Sequence, residues 1–282
     1  MTKKLLGSKV VNEIIINSKK ECNELKEQGI NPQIAVIRVG NNSSDISYEK
    51  SIMNFMEKAD ISVKSIVLDE NIKEEEFINI LKEVNEDESI NAILVFRPLP
   101  DQIDEDKIKY IISPSKDIDC FSPVNMAKLF ISDTSGFYPC TPLGVMEMLD
   151  YYRINPEGKE VVIVGRSLVV GKPLSMMLLD RHATLTICHS RTKNLKEVCK
   201  KADILIVAVG RANMVDKEYI KKDAVVIDVG INFYDGKLTG DVDYESASEV
   251  AGMITPVPGG VGSVTTACLV KNVLKACKQK NG

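Results

Sequence analysis

The sequence predicts an α/β protein of two domains, each built on a mainly parallel sheet with helices on its faces. Three observations carry that expectation. Apolar runs of strand length alternate with amphipathic helical patterns over residues 33–96, and a second alternating series runs over residues 160–230. Two loop-rich segments, "SPSKDIDCFSP" (113–123) and "DTSGFYPCTPLG" (133–144), stand between the two series. Strand–helix–strand alternation places neighbouring strands parallel, and 282 residues suffice for two separate cores.

In order, the first series reads "QIAVIRV" (33–39), a helix over about 45–59, "VKSIVL" (63–68), a helix over about 73–86, and "INAILVF" (90–96). Binding residues of such sheets collect beyond the carboxyl ends of the strands, which is where Gly40 to Tyr48 and Arg97 to Pro100 fall. The second series has strands "EVVIVG" (160–165), "ATLTICH" (183–189), "DILIVAVG" (203–210) and "AVVIDVG" (224–230). The boundary falls near residue 140, giving an N-terminal domain over 1–140 and a Rossmann-like nucleotide-binding domain over 141–262. The last segment, 263–282, has helical periodicity and is expected to return to the first domain.

Composition narrows the function. A chain 44% hydrophobic and 27% charged is ordinary globular protein, which excludes disorder. A net charge of −4 with no basic run excludes a nucleic-acid partner and points to a small molecule. Seven scattered cysteines with no C-x-x-C pair exclude a disulfide framework and a zinc site, and read as reduced thiols of a cytoplasmic protein. In "MTKKLLGSKVVNEII" the apolar run breaks at Gly7, Ser8 and Lys9, so no signal-peptide core forms. No apolar run approaches the roughly 20 residues that span a bilayer. The two histidines, His182 and His189, lack a third ligand, so no metal is expected; His189 either lines the cofactor cleft or is structural.

The strand "VVIVG" runs into "GRSLVVGKPLSMMLL", a turn with Gly165 and Gly171 followed by a helix. Glycines let the backbone turn sharply and approach a phosphate, and the N–H groups of a helix N-terminus favour an anion. An NAD site usually carries an acid about 20 residues after the first glycine. Residues 184–191 read "TLTICHSR", without one. Ser190, Arg191 and Arg166 instead gather donors for a 2′-phosphate, which favours NADP and leaves NAD possible.

The stretches "YPCTPLGVMEML" (138–149), "VVIVGRSLVVGKPLSMMLL" (161–179), "ATLTICHSRT" (183–192), "ADILIVAVG" (202–210), "VVIDVGIN" (225–232), "GDVDY" (240–244) and "ITPVPGGVGSVT" (254–265) together resemble the bifunctional methylenetetrahydrofolate dehydrogenase/methenyltetrahydrofolate cyclohydrolase family, often called FolD. "VGNNSSDISY" (39–48) and "PSKDIDCF" (114–121) match more loosely. The resemblance implies two domains enclosing a cleft for a tetrahydrofolate derivative, usually in a homodimer. It implies that Gly165, Arg166, Ser167, Ser190 and Ile231 contact the dinucleotide, and that Leu99, Pro100, the Asp119 loop, Pro256, Pro258, Gly259 and Gly260 shape the folate pocket. Tyr48 and Asp119 match its catalytic positions. One departure is Ser263, where the family usually has proline, at the entry to the last helix.

A second departure touches the chemistry. The family pattern sets a lysine four residues after the tyrosine and a glutamine just before a P-L-P loop. Here those positions are Ile52 and Phe96, and Cys120 replaces a glycine after Asp119. At about 100° per residue, Lys50 points about 200° away from Tyr48, and Lys58 lies about 280° around and roughly 15 Å along the axis. Hydride transfer needs no dedicated acid or base, whereas hydrolysis of the methenyl group must move a proton. The dehydrogenase is therefore expected to be retained and the cyclohydrolase to be weak or absent; the alternative is a fully bifunctional enzyme in which Arg97 or another lysine replaces the missing one. Competing readings are another two-domain NAD(P) dehydrogenase, which would need a His/Asp or Lys/Asp pair that the chain does not show, and a non-catalytic binding protein.

Overall fold

The computed structural model describes residues 2–281. The chain divides into two compact units: Glu13–Cys140 together with the chain from Thr266 onward, and the chain up to Asn12 together with Thr141–Thr265.

In the first unit, strand Gln33–Val39 lies between Ser62–Leu68 and Ala92–Val95, all parallel. The central strand is covered on both faces, so Ile34 to Ile37 are fully buried and it reads as a continuous apolar run. Helix Glu74–Glu86 buries Phe77, Leu81 and Val84, spaced four and three apart on one face. They pack with Ile37, Ile93, Val95 and Leu99 into one core. The C-terminal segment does return here: Asn272 Nδ2 donates to the carbonyls of Ile118 (2.7 Å) and Tyr138 (3.1 Å), and Lys275 Nζ donates to that of Thr134 (2.8 Å). The helix that carries them, Val261–Asn281, begins two residues before Ser263, whose hydroxyl donates to the Gly260 carbonyl (3.3 Å).

The second unit has a six-stranded parallel sheet in the order Lys3–Lys4, Met253–Ile254, Val225–Asp228, Ile204–Val207, Glu160–Val164, Thr184–Cys188. From Glu160–Val164 the chain steps outward to Thr184–Cys188, then crosses back to Ile204–Val207 on the other side. That reversal is a topological switch point, where ligands of doubly wound sheets bind beyond the strand ends. An antiparallel hairpin, Asn232–Tyr234 with Lys237–Thr239, follows Val225–Asp228.

Residues 2–12 depart from the expected 1–140 domain. Lys3 and Lys4 pair with Met253 and Ile254 at the margin of the second unit's sheet, and Gly7 N–H donates to the Gly259 carbonyl (2.8 Å). A two-residue strand is too short to show a period of two. Helix Gly7–Glu27 was likewise not singled out by the sequence pattern.

Candidate active site

Helix Ser43–Lys58 starts where Gly40, at φ +76°, turns the chain out of strand Gln33–Val39, and Asn42 Oδ1 caps it by accepting from Ser44 N–H (2.9 Å). Tyr48 sits in the second turn of this helix, 37% exposed, with its ring centroid 5.2 Å from that of Phe96. Its neighbour Glu49 is buried and accepts from Arg38 Nε (2.5 Å) and from Ser65 Oγ, tying the helix to two strands. Ile52, one turn beyond Tyr48, is fully buried. Partial burial first, then the Asp119 carboxylate and the Cys140 thiol, push the Tyr48 phenol well above the ordinary tyrosine range. It stays protonated at any physiological pH.

The Asp119 loop is built by a different carboxylate. Asp117 accepts from the N–H groups of Phe121 (2.9 Å) and Ser122 (2.8 Å) and from Asn125 Nδ2 (2.9 Å). Asp119 is left to face outward from this scaffold: Oδ1 accepts from Cys140 N–H (2.9 Å), and Oδ2 stands 3.8 Å from Arg97 Nη2. Burial raises the Asp119 pKa, opposed by the Cys140 N–H and the Arg97 charge. Cys120 adopts φ +56°, the left-handed region a glycine takes freely, so the loop keeps the glycine conformation at a cost of about 1–2 kcal/mol. Asn272 braces the same loop, since besides Ile118 and Tyr138 it reaches Cys140 Sγ (3.5 Å). Nothing in the sequence marked Asn272 except that it is a polar residue inside "CLVKNVLKAC".

Two lysines of this unit that could have stood in for the missing one are engaged elsewhere. Lys58 Nζ lies over the Phe55 ring (5.6 Å). Lys116, 8% exposed, donates to the carbonyls of Val84, Asn85 and Asp87 at the end of helix Glu74–Glu86, and burial lowers its pKa. Of the expected pocket residues, Leu99 is buried in the core with its N–H on Glu105 Oε1 (2.7 Å), while Pro100 is half-buried beside it.

In the second unit the glycine loop leaves strand Glu160–Val164 at the switch point. Gly165 has φ +137°, and a Cβ there would lie 2.3 Å from the Ala208 carbonyl oxygen; one on Gly171 would lie 2.2 Å from the Gly165 oxygen. Only glycines allow this tight nesting at the start of helix Gly171–Leu179. Ser167 Oγ accepts from Val170 N–H (3.0 Å), and Arg166, Ser167, Leu168 and Val169 are all exposed. Ser190 and Arg191 are exposed just beyond the adjoining strand Thr184–Cys188. His189 is a turn residue: its Nδ1 accepts from Arg191 N–H (3.2 Å) and its own N–H donates to Thr192 Oγ1 (2.8 Å). An exposed cradle of backbone closed by glycines, with arginines and serines at its rim, fits the phosphates of a dinucleotide.

The turn Pro256 to Gly260 leaves strand Met253–Ile254 of this sheet; Pro258 and Gly259 are exposed, and Gly259 has φ +104°. A Cβ on Gly260 would lie 2.6 Å from the Pro256 oxygen, so this glycine closes the turn. Ile231 is 59% exposed and meets the position a Gly262 Cβ would take at 2.9 Å. Behind them, burial pushes Asp228 up to about 7 against three backbone N–H donors, those of Val242, Asp241 and Gly230. Among the described residues no group of three or more His, Cys, Asp or Glu side chains is arranged to hold a metal, and no helix is long and apolar enough to cross a membrane. All seven cysteines are buried, and none forms a disulfide.

Two family models match the chain: the tetrahydrofolate dehydrogenase/cyclohydrolase catalytic domain over residues 5–119, and the NAD(P)-binding domain of the same family over residues 139–281. The bifunctional protein FolD of Clostridioides difficile is 51% identical over 99% of this chain and 96% of its own length. The solved structure of FolD from Campylobacter jejuni, a methylenetetrahydrofolate dehydrogenase/cyclohydrolase, superposes with a TM-score of 0.97 at 42% identity, covering 99% of this chain and all of the other. That of the Trypanosoma brucei enzyme, complexed with NADP and an inhibitor, superposes with a TM-score of 0.93 at 32% identity, covering 99% and 98%. The chain belongs to the tetrahydrofolate dehydrogenase/cyclohydrolase family.

Proposed function

We propose that the protein oxidises 5,10-methylenetetrahydrofolate to the 5,10-methenyl form with NADP as acceptor, and that its cyclohydrolase activity is weak or absent. Held at the Gly165 to Ser167 loop, NADP would supply the acceptor for the hydride of the one-carbon bridge. The folate's own N5 and N10 lone pairs stabilise the resulting cation, so the chain has to hold and orient. Asp119 offers a carboxylate to the pterin, with Leu99 and Pro100 shaping the apolar wall. Gly165, Arg166, Ser167, Ser190 and Ile231 hold the dinucleotide, and the turn Pro256 to Gly260, with Pro258 and Gly259 at its tip, belongs to the folate pocket. We place the enzyme in the cytoplasm as a homodimer.

The observation that carries the loss of hydrolysis is the pair of apolar side chains beside Tyr48: the Phe96 ring lies tilted against its ring at 5.2 Å, and Ile52 is buried one turn away. Hydrolysis needs a group that moves a proton. A phenol held above its usual range does not act as a base, and a guanidinium such as that of Arg97 is never deprotonated. The bifunctional names of the relatives favour the second reading, in which hydrolysis survives. Purified protein with methylenetetrahydrofolate and NADP is expected to accumulate methenyl product, and added methenyltetrahydrofolate to hydrolyse no faster than in buffer. Enzyme-dependent hydrolysis at a rate comparable with oxidation overturns the monofunctional reading.

Cofactor choice has its own test. Replacing Arg191 by Ala removes a charge-assisted donor for a 2′-phosphate, worth about 1.5–3 kcal/mol, so KM for NADP is expected to rise about ten- to a hundredfold. The KM for NAD is expected to move less than about twofold. Equal effects on both cofactors would show that Arg191 does not read the phosphate.

A further inference from the structure

Arg97 is not part of the family pattern, which has leucine after its glutamine, yet the fold holds its charge against Asp119. Its Cζ lies 4.3 Å from the centroid of the Phe121 ring, and its side chain is only 25% exposed. A guanidinium over an aromatic face is fixed in orientation as well as place. From there Nη2 faces Asp119 Oδ2 at 3.8 Å, too far for a hydrogen bond but within ion-pair range. Asp119 Oδ1 is fixed separately by Cys140 N–H.

We propose, resting on the folate reading above, that Arg97 is a positioning residue for Asp119: it keeps this carboxylate ionised and aimed, so that Oδ2 reads a ligand ring presenting adjacent N–H donors, the donor edge of a pterin. The surroundings show why a cation is needed. The other titratable groups that feel the Asp119 charge are Tyr48, Asp117, Cys120 and Cys140. The phenol and both thiols are held above their usual ranges and are neutral, and Asp117, when ionised, repels a second carboxylate. Arg97 is, among the described residues, the charge that opposes burial at Asp119. The protonation state decides the reading: an ionised carboxylate only accepts, whereas a protonated one presents an O–H and mismatches a donor edge. Because Oδ2 makes no hydrogen bond to Arg97 and the side chain is 29% exposed, its lone pairs remain available to the ligand.

The test is the pH profile of kcat/KM for methylenetetrahydrofolate oxidation in Arg97→Leu, Arg97→Lys, Asp119→Asn and the Arg97→Leu/Asp119→Asn double variant. In Arg97→Leu the acid limb is expected to move up by about one pH unit, the direction set by losing a cation next to a partly buried carboxylate. The folate KM is expected to rise about tenfold at pH 6 and less at pH 8, with the loss in KM rather than kcat. Lysine restores the charge without the stacked fork, so Arg97→Lys should lie between the two, and it carries the test if the leucine variant does not fold. The double variant is expected to share its acid limb with Asp119→Asn. An acid limb and folate KM in Arg97→Leu equal to the parent's, a lysine variant indistinguishable from a folded leucine variant, or a shift that persists without Asp119 overturns the proposal. A parent enzyme that does not oxidise methylenetetrahydrofolate removes the folate reading itself, which separates the two failures.

Discussion

Asp241→Ala is expected to destabilise the nucleotide-binding unit by about 3–5 kcal/mol, the sum of several buried donors losing their acceptor. Asp241 is fully buried, and its two oxygens accept from the N–H groups of Val209 (2.6 Å), Gly210 (3.0 Å) and Arg211 (2.7 Å) and from Asn232 Nδ2 (2.9 Å). Each donor left without a partner in a dry site costs about 1–3 kcal/mol, and water entering the space of the lost carboxyl offsets part of the sum. Asp228 is the second half of the device, accepting from Gly230, Asp241 and Val242 N–H. The two aspartates close so tightly over the chain that a Cβ on Gly230 would lie 2.1 Å from Asp241 Cγ, and one on Gly240 would lie 1.8 Å from Asp228 Oδ2. The loop so held, Val209 to Arg211, follows the strand beside the switch point. The variant is therefore expected to melt roughly 10 °C lower, at about 2–4 °C per kcal/mol for a protein of this size, and to bind NADP more weakly at temperatures where it is still folded. Asp241→Asn should fall between, because its amide N–H groups meet donors on one side. Thermal unfolding of the three proteins checks this; an alanine variant melting with the parent would show that the network contributes little.

That network also shows what the sequence could and could not say. "VVIDVGIN" and "GDVDY" were legible as family stretches, but their glycines and aspartates serve one another: the motif is a scaffold behind the cofactor loop. The strands were legible because apolar runs such as "AVIRV" and "VVIV" are covered on both faces and bounded by turn residues. Strand Met253–Ile254 and the pairing of Lys3–Lys4 were not, since two residues define no period and the partners of Lys3 and Lys4 are Met253 and Ile254, at the far end of the chain. The glycine loop could be read from local pattern, whereas Tyr48 and Asp119 stood out only through the family resemblance. Asn272 and Arg97 could not be ranked in advance, because each acts on Asp119 or its loop through contacts between segments remote in sequence. Helix geometry directs Lys58 away from the Tyr48 face, and its Nζ lies over the Phe55 ring.

The double variant Ile52→Lys/Phe96→Gln is expected to create cyclohydrolase activity, raising enzyme-dependent hydrolysis of methenyltetrahydrofolate about a hundredfold or more above the parent, within the 10²–10⁴ that a positioned acid–base group supplies. Ile52 lies one turn along the helix from Tyr48 and is fully buried, so a lysine there is desolvated and its pKa falls toward the range where it exchanges protons near neutrality. Alone, that lysine is buried and gains no polar partner from Phe96, which is 7% exposed with its ring tilted against that of Tyr48. An unpartnered amine in such a site is costly, and Ile52→Lys by itself is expected to lower the melting temperature without a large gain in hydrolysis. Phe96→Gln removes the ring, opens space beside Tyr48 and brings a carbonyl oxygen that can accept from the amine. It is equally expected to be silent alone, because it has nothing to orient. Two groups that act as a unit give effects that do not add: each single change is expected to gain less than about tenfold, and the pair far more than the product. The decay of methenyl absorbance under each protein, corrected for buffer, measures this directly, with NADP-dependent oxidation as the control for an intact fold. A double variant that oxidises normally and still hydrolyses at the buffer rate would show that Ile52 and Phe96 are not what withholds hydrolysis, and would move the search to the Asp119 loop with its Cys120 and Arg97.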